Sequence, residues 1–510
     1  MRVRNPSYLL VLAALLFTQP VLAQTGPILP LDSPSLWNLN ALLARGWMDE
    51  FNSGIYPVSE LGYLEALSRI SDTDPLSNQI AEEAKSHLFK STDLQSGHWG
   101  IRVSPAFTGS TQKNLNHIRY DADPTPDWFT RLGYESWFTI GNWTAALGFR
   151  HDRYYDRDPE SMDTAHRWAT RPENAYVAYT GSVAQFSIGR VRQHWGGYQQ
   201  PGLVLSDNPR PMDHVSLRIG SKKLSIQSSL SELDSITGDG RFTGVAGDDS
   251  VSSGSERRYL AAHRLTIQKE SWTLGLMHSI LYSGRNSGLS LRYANPFQIA
   301  FMSVDERPKN EENNGLLGAF FSRQSGRTLM QIQVALDDFD ILAGEEPPSL
   351  AGTFHLYRAQ IAPRLDLYSE TTLVTARTYN SEQTEGKYVY LKRGMGTQYS
   401  DFISSALGLN WFHSSGLVFT PAVQFLLQGE QHMLKPFPKN EEADALLDGV
   451  IERTIRPSIG VRGTVGKGIQ IHGQVGGNIV TNANHLEGEA DFYMTGFLSI
   501  GYRFMWRGAF

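Results

Sequence analysis

Residues 455–480 read IRPSIGVRGTVGKGIQIHGQVGGNIV. Ile455, Pro457, Ile459, Val461, Gly463 and Val465 alternate with polar or small residues. Gly466-Lys467-Gly468 turns the chain, and Ile469, Ile471, Gly473, Val475, Gly477 and Ile479 resume the alternation. Successive side chains of a strand point to opposite faces, so this is a hairpin with one apolar face. Each arm runs about 11 residues, and a tilted strand needs roughly 9–11 to cross a bilayer.

The same device recurs upstream. Tyr134, Phe138 and Ile140 lead into Gly141-Asn142, followed by Trp143, Ala145, Leu147 and Phe149. Val215, Leu217 and Ile219 precede Gly220-Ser221, and Leu224, Ile226 and Leu230 come after. The pattern predicts strands near 98–108, 128–140, 143–150, 173–180, 183–190, 214–219, 223–230, 259–267, 271–280, 314–323, 327–337, 353–362, 367–378, 402–413, 416–427, 454–465, 469–480 and 491–510. Short turns follow the even-numbered strands and long loops the odd-numbered ones. This is the plan of an all-β transmembrane β-barrel of about 18 antiparallel strands, with periplasmic turns and extracellular loops. The last strand carries its own mark. Leu498, Ile500, Tyr502, Phe504 and Trp506 alternate with smaller or polar residues, and the chain ends at Phe510. An alternating aromatic strand with a terminal Phe resembles the signal read by the outer-membrane barrel assembly machinery.

Two other segments precede the barrel. Residues 1–23 have Arg2 and Arg4, an apolar run from Tyr8 to Phe17 and Val21-Leu22-Ala23, the three parts of a cleavable signal peptide. Residues 24–97 have helical rather than strand spacing. Leu36, Leu39, Leu42 and Leu43 follow Ser33-Pro34; Val58, Leu61, Leu64 and Leu67 follow Tyr56-Pro57; Ile80, Ala84, Leu88 and Phe89 follow Pro75. We expect a small periplasmic helical bundle there, with Trp37, Trp47 and Tyr56 in its core, and the barrel over 98–510.

Composition fits this plan. In a membrane barrel only alternate residues meet lipid, so a mean hydropathy of −0.32 is compatible with 56 aromatics among 510 residues. The absence of cysteine removes disulfides, thiolate metal sites and cysteine nucleophiles. Losing Arg2 and Arg4 with the signal peptide takes the net charge from −6 to −8, which argues against nucleic acid as a partner. Asp152, Asp156, Asp158 and Asp163, and Asp239, Asp248 and Asp249, lack calcium-loop spacing, and no metal or other cofactor is expected.

At residues 189–212 the chain reads GRVRQHWGGYQQPGLVLSDNPRPM. Gly189-Arg190, Trp195-Gly196-Gly197, Leu203 to Ser206 and Asn208-x-Arg210-Pro211-Met212 resemble the capsule-assembly Wzi family of outer-membrane proteins. Asn295-Pro296-Phe297 and the head sequence LLARGWMDEFNSGIYPVSELGYLEAL, residues 42–67, are similar to that family as well. The resemblance implies an 18-stranded barrel with a periplasmic helical bundle and loops folded over or into the lumen. Its implied role is a non-catalytic surface lectin that attaches exported capsular polysaccharide or exopolysaccharide to the cell. Outer-membrane lipid and lipopolysaccharide would surround it, and the head would meet a polysaccharide-export partner.

The residues suit such a role. Sugar binding uses aromatic faces for pyranose C–H groups and amides, carboxylates and guanidinium groups for hydroxyls and uronic acids. Arg190, Arg192, His194, Trp195, Tyr198, Asp207, Asn208 and Arg210 offer these in one segment, and Tyr154, Tyr155 and Trp168 in the loop before it. The competing reading of the first set is a lumen plug that only closes the barrel. The competing function is a porin or substrate-specific channel, lined by arginines such as Arg190, Arg192, Arg218, Arg292, Arg323, Arg358 and Arg377. Catalysis is the weakest reading: the only His-Ser pair singled out, His278-Ser279, would straddle two faces of a strand.

Overall fold

A computed structural model of the chain describes residues 26–48, 54–70, 74–88, 97–111, 127–153, 170–235, 257–284, 287–297, 312–337, 349–391, 393–438, 443–466 and 468–509. The signal peptide, Phe89, Tyr154, Tyr155, Trp168 and Phe510 lie outside the described residues.

The sheet closes on itself as an antiparallel barrel. Its strands are β1 (His98–Ser110), β2 (Asp127–Ile140), β3 (Trp143–Asp152), β4 (Thr170–Thr180), β5 (Ala184–Val191), β6 (Met212–Gly220), β7 (Leu224–Glu232), β8 (Arg257–Lys269), β9 (Trp272–Gly284), β10 (Glu312–Ser325), β11 (Thr328–Asp337), β12 (Ser349–Ala362), β13 (Leu365–Val374), β14 (Phe402–Phe412), β15 (Leu417–Gln428), β16 (Glu452–Val465), β17 (Ile469–Thr481) and β18 (Ala490–Tyr502 continued by Phe504–Ala509). The two pieces of β18 keep one register against β1, with Gly501 opposite Ala106 and Phe504 opposite Val103, so they count as one strand and the barrel has 18. The hairpin that opened the sequence reading closes with Val465 opposite Ile469.

Alternation sorts the side chains as a membrane wall requires. Phe107, Phe138, Leu147, Ile459, Ile500, Phe504 and Trp506 are exposed on the outside. Arg102, Glu135, Gln331, Gln333, Asn410 and Arg456, at positions of the opposite parity, are buried inside. Of the arginines considered for a pore, Arg192 and Arg218 line lumenal cavities, whereas Arg190 shares the parity of the exposed Ile188 on the outer face. Arg323 and Arg358 share the parity of exposed outer residues and lie at the short-turn end of the wall.

The head contains the expected helices: a 3-10 turn (Pro34–Leu36) leading to α1 (Leu39–Ala44), then α2 (Glu60–Ser68) and α3 (Pro75–Ser86). Ser59 caps α2 by accepting from Gly62 N–H, and Asp74 caps α3 with Pro75 at its first position. The head is not a free-standing bundle. Its core of Leu36, Leu39, Leu42, Tyr63, Leu67 and Ile80 continues into Leu329, Tyr357, Ala359, Phe412 and Val418 of the barrel interior. Three helices in so short a segment cannot enclose their own apolar faces, and the barrel mouth supplies the missing surface. Charged clasps fix the seating. Arg45 holds Asp366 through two bonds of 2.7 and 2.8 Å, and Arg102 reaches Glu60 at 2.7 Å and Glu135 at 2.6 Å. Contacts of Glu83 with Thr464 N–H and of Arg364 with Gln79 place the head at the short-turn end.

Candidate functional site

The loop 192–211, between β5 and β6, carries most of the predicted site residues, and it folds into the lumen. Its apolar run Leu203-Val204-Leu205 is fully buried together with Trp195, against Met277, Leu281, Leu316 and Phe320 of the wall. A second inward loop, 375–401, seals it. Tyr379 donates to the Leu203 carbonyl at 2.6 Å, and Tyr388 donates to the Val204 carbonyl at 2.8 Å while meeting Ser279 Oγ at 2.8 Å. A Cβ on Gly202 would stand 2.4 Å from the Leu205 carbonyl oxygen, so this hairpin-like fold of the loop requires glycine there.

The head meets the loop inside the barrel. Tyr56 and His194 exchange backbone hydrogen bonds of 2.8 and 3.0 Å, a single antiparallel bridge between the two plugs. The His194 ring faces Asp207 Oδ1 at 3.0 Å and the Gly197 carbonyl at 3.1 Å. Tyr198 is buried beside Tyr56 and donates to the Leu31 carbonyl at 3.4 Å. Asn208 donates to the Gly394 carbonyl at 2.8 Å and to Gln398 at 2.7 Å. Trp195, His194 and Tyr198 therefore serve as core of the plug, while Arg190, Arg192, Asp207, Asn208 and Arg210 keep partly accessible surfaces. Arg190 is paired with Asp213 and Arg192 with Glu173.

Of these, Arg192 and Asp207 border a chamber of about 650 Å³ between the head, the loop and the inner wall; Arg190, Asn208 and Arg210 lie outside it. Six arginines, among them Arg150, Arg192 and Arg462, line it against four carboxylates, Asp32, Glu135, Glu173 and Asp207. Burial opposes ionisation of Asp32, but Arg150, Arg192 and Arg131 prevail and hold its pKa at about 2. Burial likewise opposes ionisation of Asp207, and the His194 hydrogen bond and Arg192 overcome it and hold its carboxyl below the ordinary value. Asp32 and Asp207 are thus held ionised, and six arginines against four carboxylates leave the chamber basic. Among the described residues Arg462 donates to neutral acceptors: Asn38 at 3.4 Å, Asn410 at 3.0 Å and Thr420 at 3.5 Å. Sequence reasoning missed Asp32, Arg150 and Arg462, because they join the site only when the head enters the barrel. It also missed Tyr379 and Tyr388, whose only linear signal is the tyrosine density of loop 375–401.

His278 and Ser279 separate as strand geometry demands. The His278 ring stacks on His263 on the outer face, and Ser279 meets Tyr388 in the lumen. Among the described residues no group of three His, Asp or Glu side chains is placed to hold a metal ion.

Residues 82–321 match the family model described as capsule assembly protein Wzi. Among solved structures the chain is similar to Wzi of Escherichia coli, an outer-membrane protein involved in group 1 capsule assembly and described as a carbohydrate-binding β-barrel. The identity is 14%, the TM-score 0.61, and the match covers 94% of this chain and 99% of that one. It is also similar to the Pseudomonas aeruginosa outer-membrane protein OpdK, at 12% identity and a TM-score of 0.44 over 80% of this chain and 99% of that one. OccK8 (OprE) of Pseudomonas aeruginosa matches at 10% identity and a TM-score of 0.46, over 80% of this chain and 98% of that one. No curated protein sequence matches it. Residues 82–321, which contain the 189–212 block, are thus similar to the Wzi family of capsule assembly proteins, and the chain as a whole shares the barrel fold of Wzi.

Proposed function

We propose that this protein is a non-catalytic lectin of the outer membrane that attaches exported capsular polysaccharide or exopolysaccharide to the cell surface. The short turns and the head face the periplasm, the long loops face outward, and the head is the surface offered to an export partner. One observation carries the reading over a channel: the lumen is occupied from both ends, by the head and by loops 192–211 and 375–401, which meet at Tyr56 and His194. The basic chamber beside them favours an acidic saccharide, whose carboxylates would meet Arg192 and Arg462 through charge-assisted bonds, with Arg190 and Arg210 as proposed contacts outside the chamber. Tyr154, Tyr155 and Trp168 remain proposed aromatic contacts from the preceding loop. Asp207 and Asn208 are proposed hydroxyl partners.

Binding of isolated surface polysaccharide to the purified full chain tests the site. A hydrogen bond to a charged group contributes about 1.5–3 kcal/mol, so Arg190→Ala with Arg192→Ala is expected to weaken binding by roughly tenfold or more. Wild-type binding should also fall with salt. Undiminished binding by the double variant would move the site to other loops.

The C-terminal strand, with Tyr502, Phe504, Trp506 and Phe510, is proposed as the signal for the barrel assembly machinery. Deleting Phe510 should lower the yield of barrel that migrates anomalously when unheated on a detergent gel. Normal yield would remove that role.

A further inference from the structure

The outer wall of β7, β8 and β9 contains an anomaly. Counting outward-facing positions up from the short turn, β9 presents Trp272, Leu274 and Leu276, then His278, Ile280 and Tyr282; β8 presents Tyr259, Ala261 and His263 at matching heights. Leu276 is 48% exposed, as a lipid-facing residue should be. Tyr259, Ala261, His263, Ile280 and Tyr282 share its face, yet none exceeds 4%. They are covered by residues 287–297, part of the loop that follows β9. This segment contains a single helical turn, α4 (Leu291–Ala294), and lies down along the outside of the barrel.

The cover is specific. Tyr293 packs at 4.5 Å from the Tyr282 ring, in one cluster with Tyr259, Ala261 and Ile280. His263 donates its Nε2 proton to the Tyr293 carbonyl at 2.7 Å, which leaves Nδ1 to meet Ser228 Oγ at 2.9 Å. Ser228 Oγ also lies 3.2 Å from the Ala294 carbonyl. Tyr282 Oη donates to the Gly288 carbonyl and accepts from Ser290 N–H, each at 3.2 Å.

Height decides what surrounds this segment. A tilted strand climbs about 2.4 Å per residue, and the apolar band is about 25 Å tall. His263 and His278, opposite each other and about six residues above the turn-side edge, stand roughly 15 Å up, inside the band and past its midpoint. His278 is in register with Leu317, and Leu317 with Leu336, an apolar row on the same outer face. In hydrocarbon every backbone polar group needs an internal partner. Ser228, His263 and Tyr282 are polar groups on a lipid-facing wall, and each bonds the backbone of the segment. The far side of the segment presents Leu289 at 60% exposure, Leu291 at 89% and Phe297 at 81%. Side chains so bare are unfavourable in water and favourable against acyl chains. Arg292, the one cation of the segment, has a stem long enough to reach the phosphate level.

We propose that residues 287–297 form a strap embedded in the outer leaflet, which binds lipid acyl chains through Leu289, Leu291 and Phe297. The strap is a lipid contact of the wall, distinct from the loops that project into water, and it is independent of the glycan site. The chain has no cysteine, so Leu291→Cys gives a single attachment point for a nitroxide in the full protein in bilayers. Leu276→Cys serves as the lipid reference and Leu486→Cys, on the loop between β17 and β18, as the aqueous one. The ratio of collision with oxygen to collision with a water-soluble nickel chelate should match the Leu276 site and stand several-fold above the Leu486 site. Phe297→Cys gives a second reading should the first variant assemble poorly. Ratios at both strap sites equal to that at Leu486 would overturn the proposal.

Discussion

Replacing Arg102 with Met should unseat the helical head. Arg102 stands on β1 inside the barrel, with two bonds of 2.7 and 2.9 Å to Glu60 of α2 and one of 2.6 Å to Glu135 of β2. All three residues are buried, so loss of the guanidinium strands two carboxylates in a region of low dielectric. Breaking a buried ionic network by removing one partner costs about 3–5 kcal/mol. The cost falls on the docking of the head, because Glu60 can regain water only by leaving the lumen. Limited proteolysis of residues 26–88 should become much faster in Arg102→Met, and planar-bilayer recordings should show current events that the wild type lacks. Converting Glu60 and Glu135 to Gln in the same chain should restore much of the protection. Unchanged protection in the single variant would assign the seating to Arg45 and Asp366 instead.

The second large effect is expected at Trp195. Trp195 is fully enclosed, its backbone N–H bonds the Leu205 carbonyl at 2.7 Å, and its carbonyl accepts from Gln333 at 3.0 Å. Removing a buried Trp side chain costs about 3–5 kcal/mol. In Trp195→Ala the loss should appear in loop 192–211, as faster amide exchange at His194 and Tyr56, while the wall strands keep their protection. Polysaccharide binding should fall as well, because Arg192 and Asp207 lose their fixed positions. Arg190→Ala with Arg192→Ala should weaken binding and leave amide exchange unchanged, which separates loop support from direct contact. Normal exchange in Trp195→Ala would show that the loop is held by its hydrogen bonds to Tyr379 and Tyr388 alone.

The wall was legible because lipid imposes a rule on every second residue. The arm expected over 469–480 runs Ile469–Thr481, and the one expected over 143–150 runs Trp143–Asp152. Both reach further toward the loops, where outward apolar residues end but ladder hydrogen bonds continue. The interior has no such period. Glu60, Arg45 and Asp366 carry no periodic signal in the sequence and become clasps only when the head fills the barrel mouth. Trp195 and Tyr198 carry the residue types of a sugar platform, and the fold uses them to close the plug. Arg190 and Arg192 have the same linear setting, yet alternation holds Arg190 on the outer face with Asp213 while Arg192, past the end of the strand, lines the chamber. Ser228, His263 and Tyr282 interrupt the lipid face for a reason that lies in a loop far along the chain.

The account rests on this chain holding polysaccharide at the surface. The direct measurement is the partition of surface polysaccharide between intact cells and medium, with total synthesis quantified, in cells with and without the protein. Cells lacking it should make as much polysaccharide and release most of it to the medium, and the wild-type chain should restore retention. Retention unchanged by loss of the protein would contradict the account.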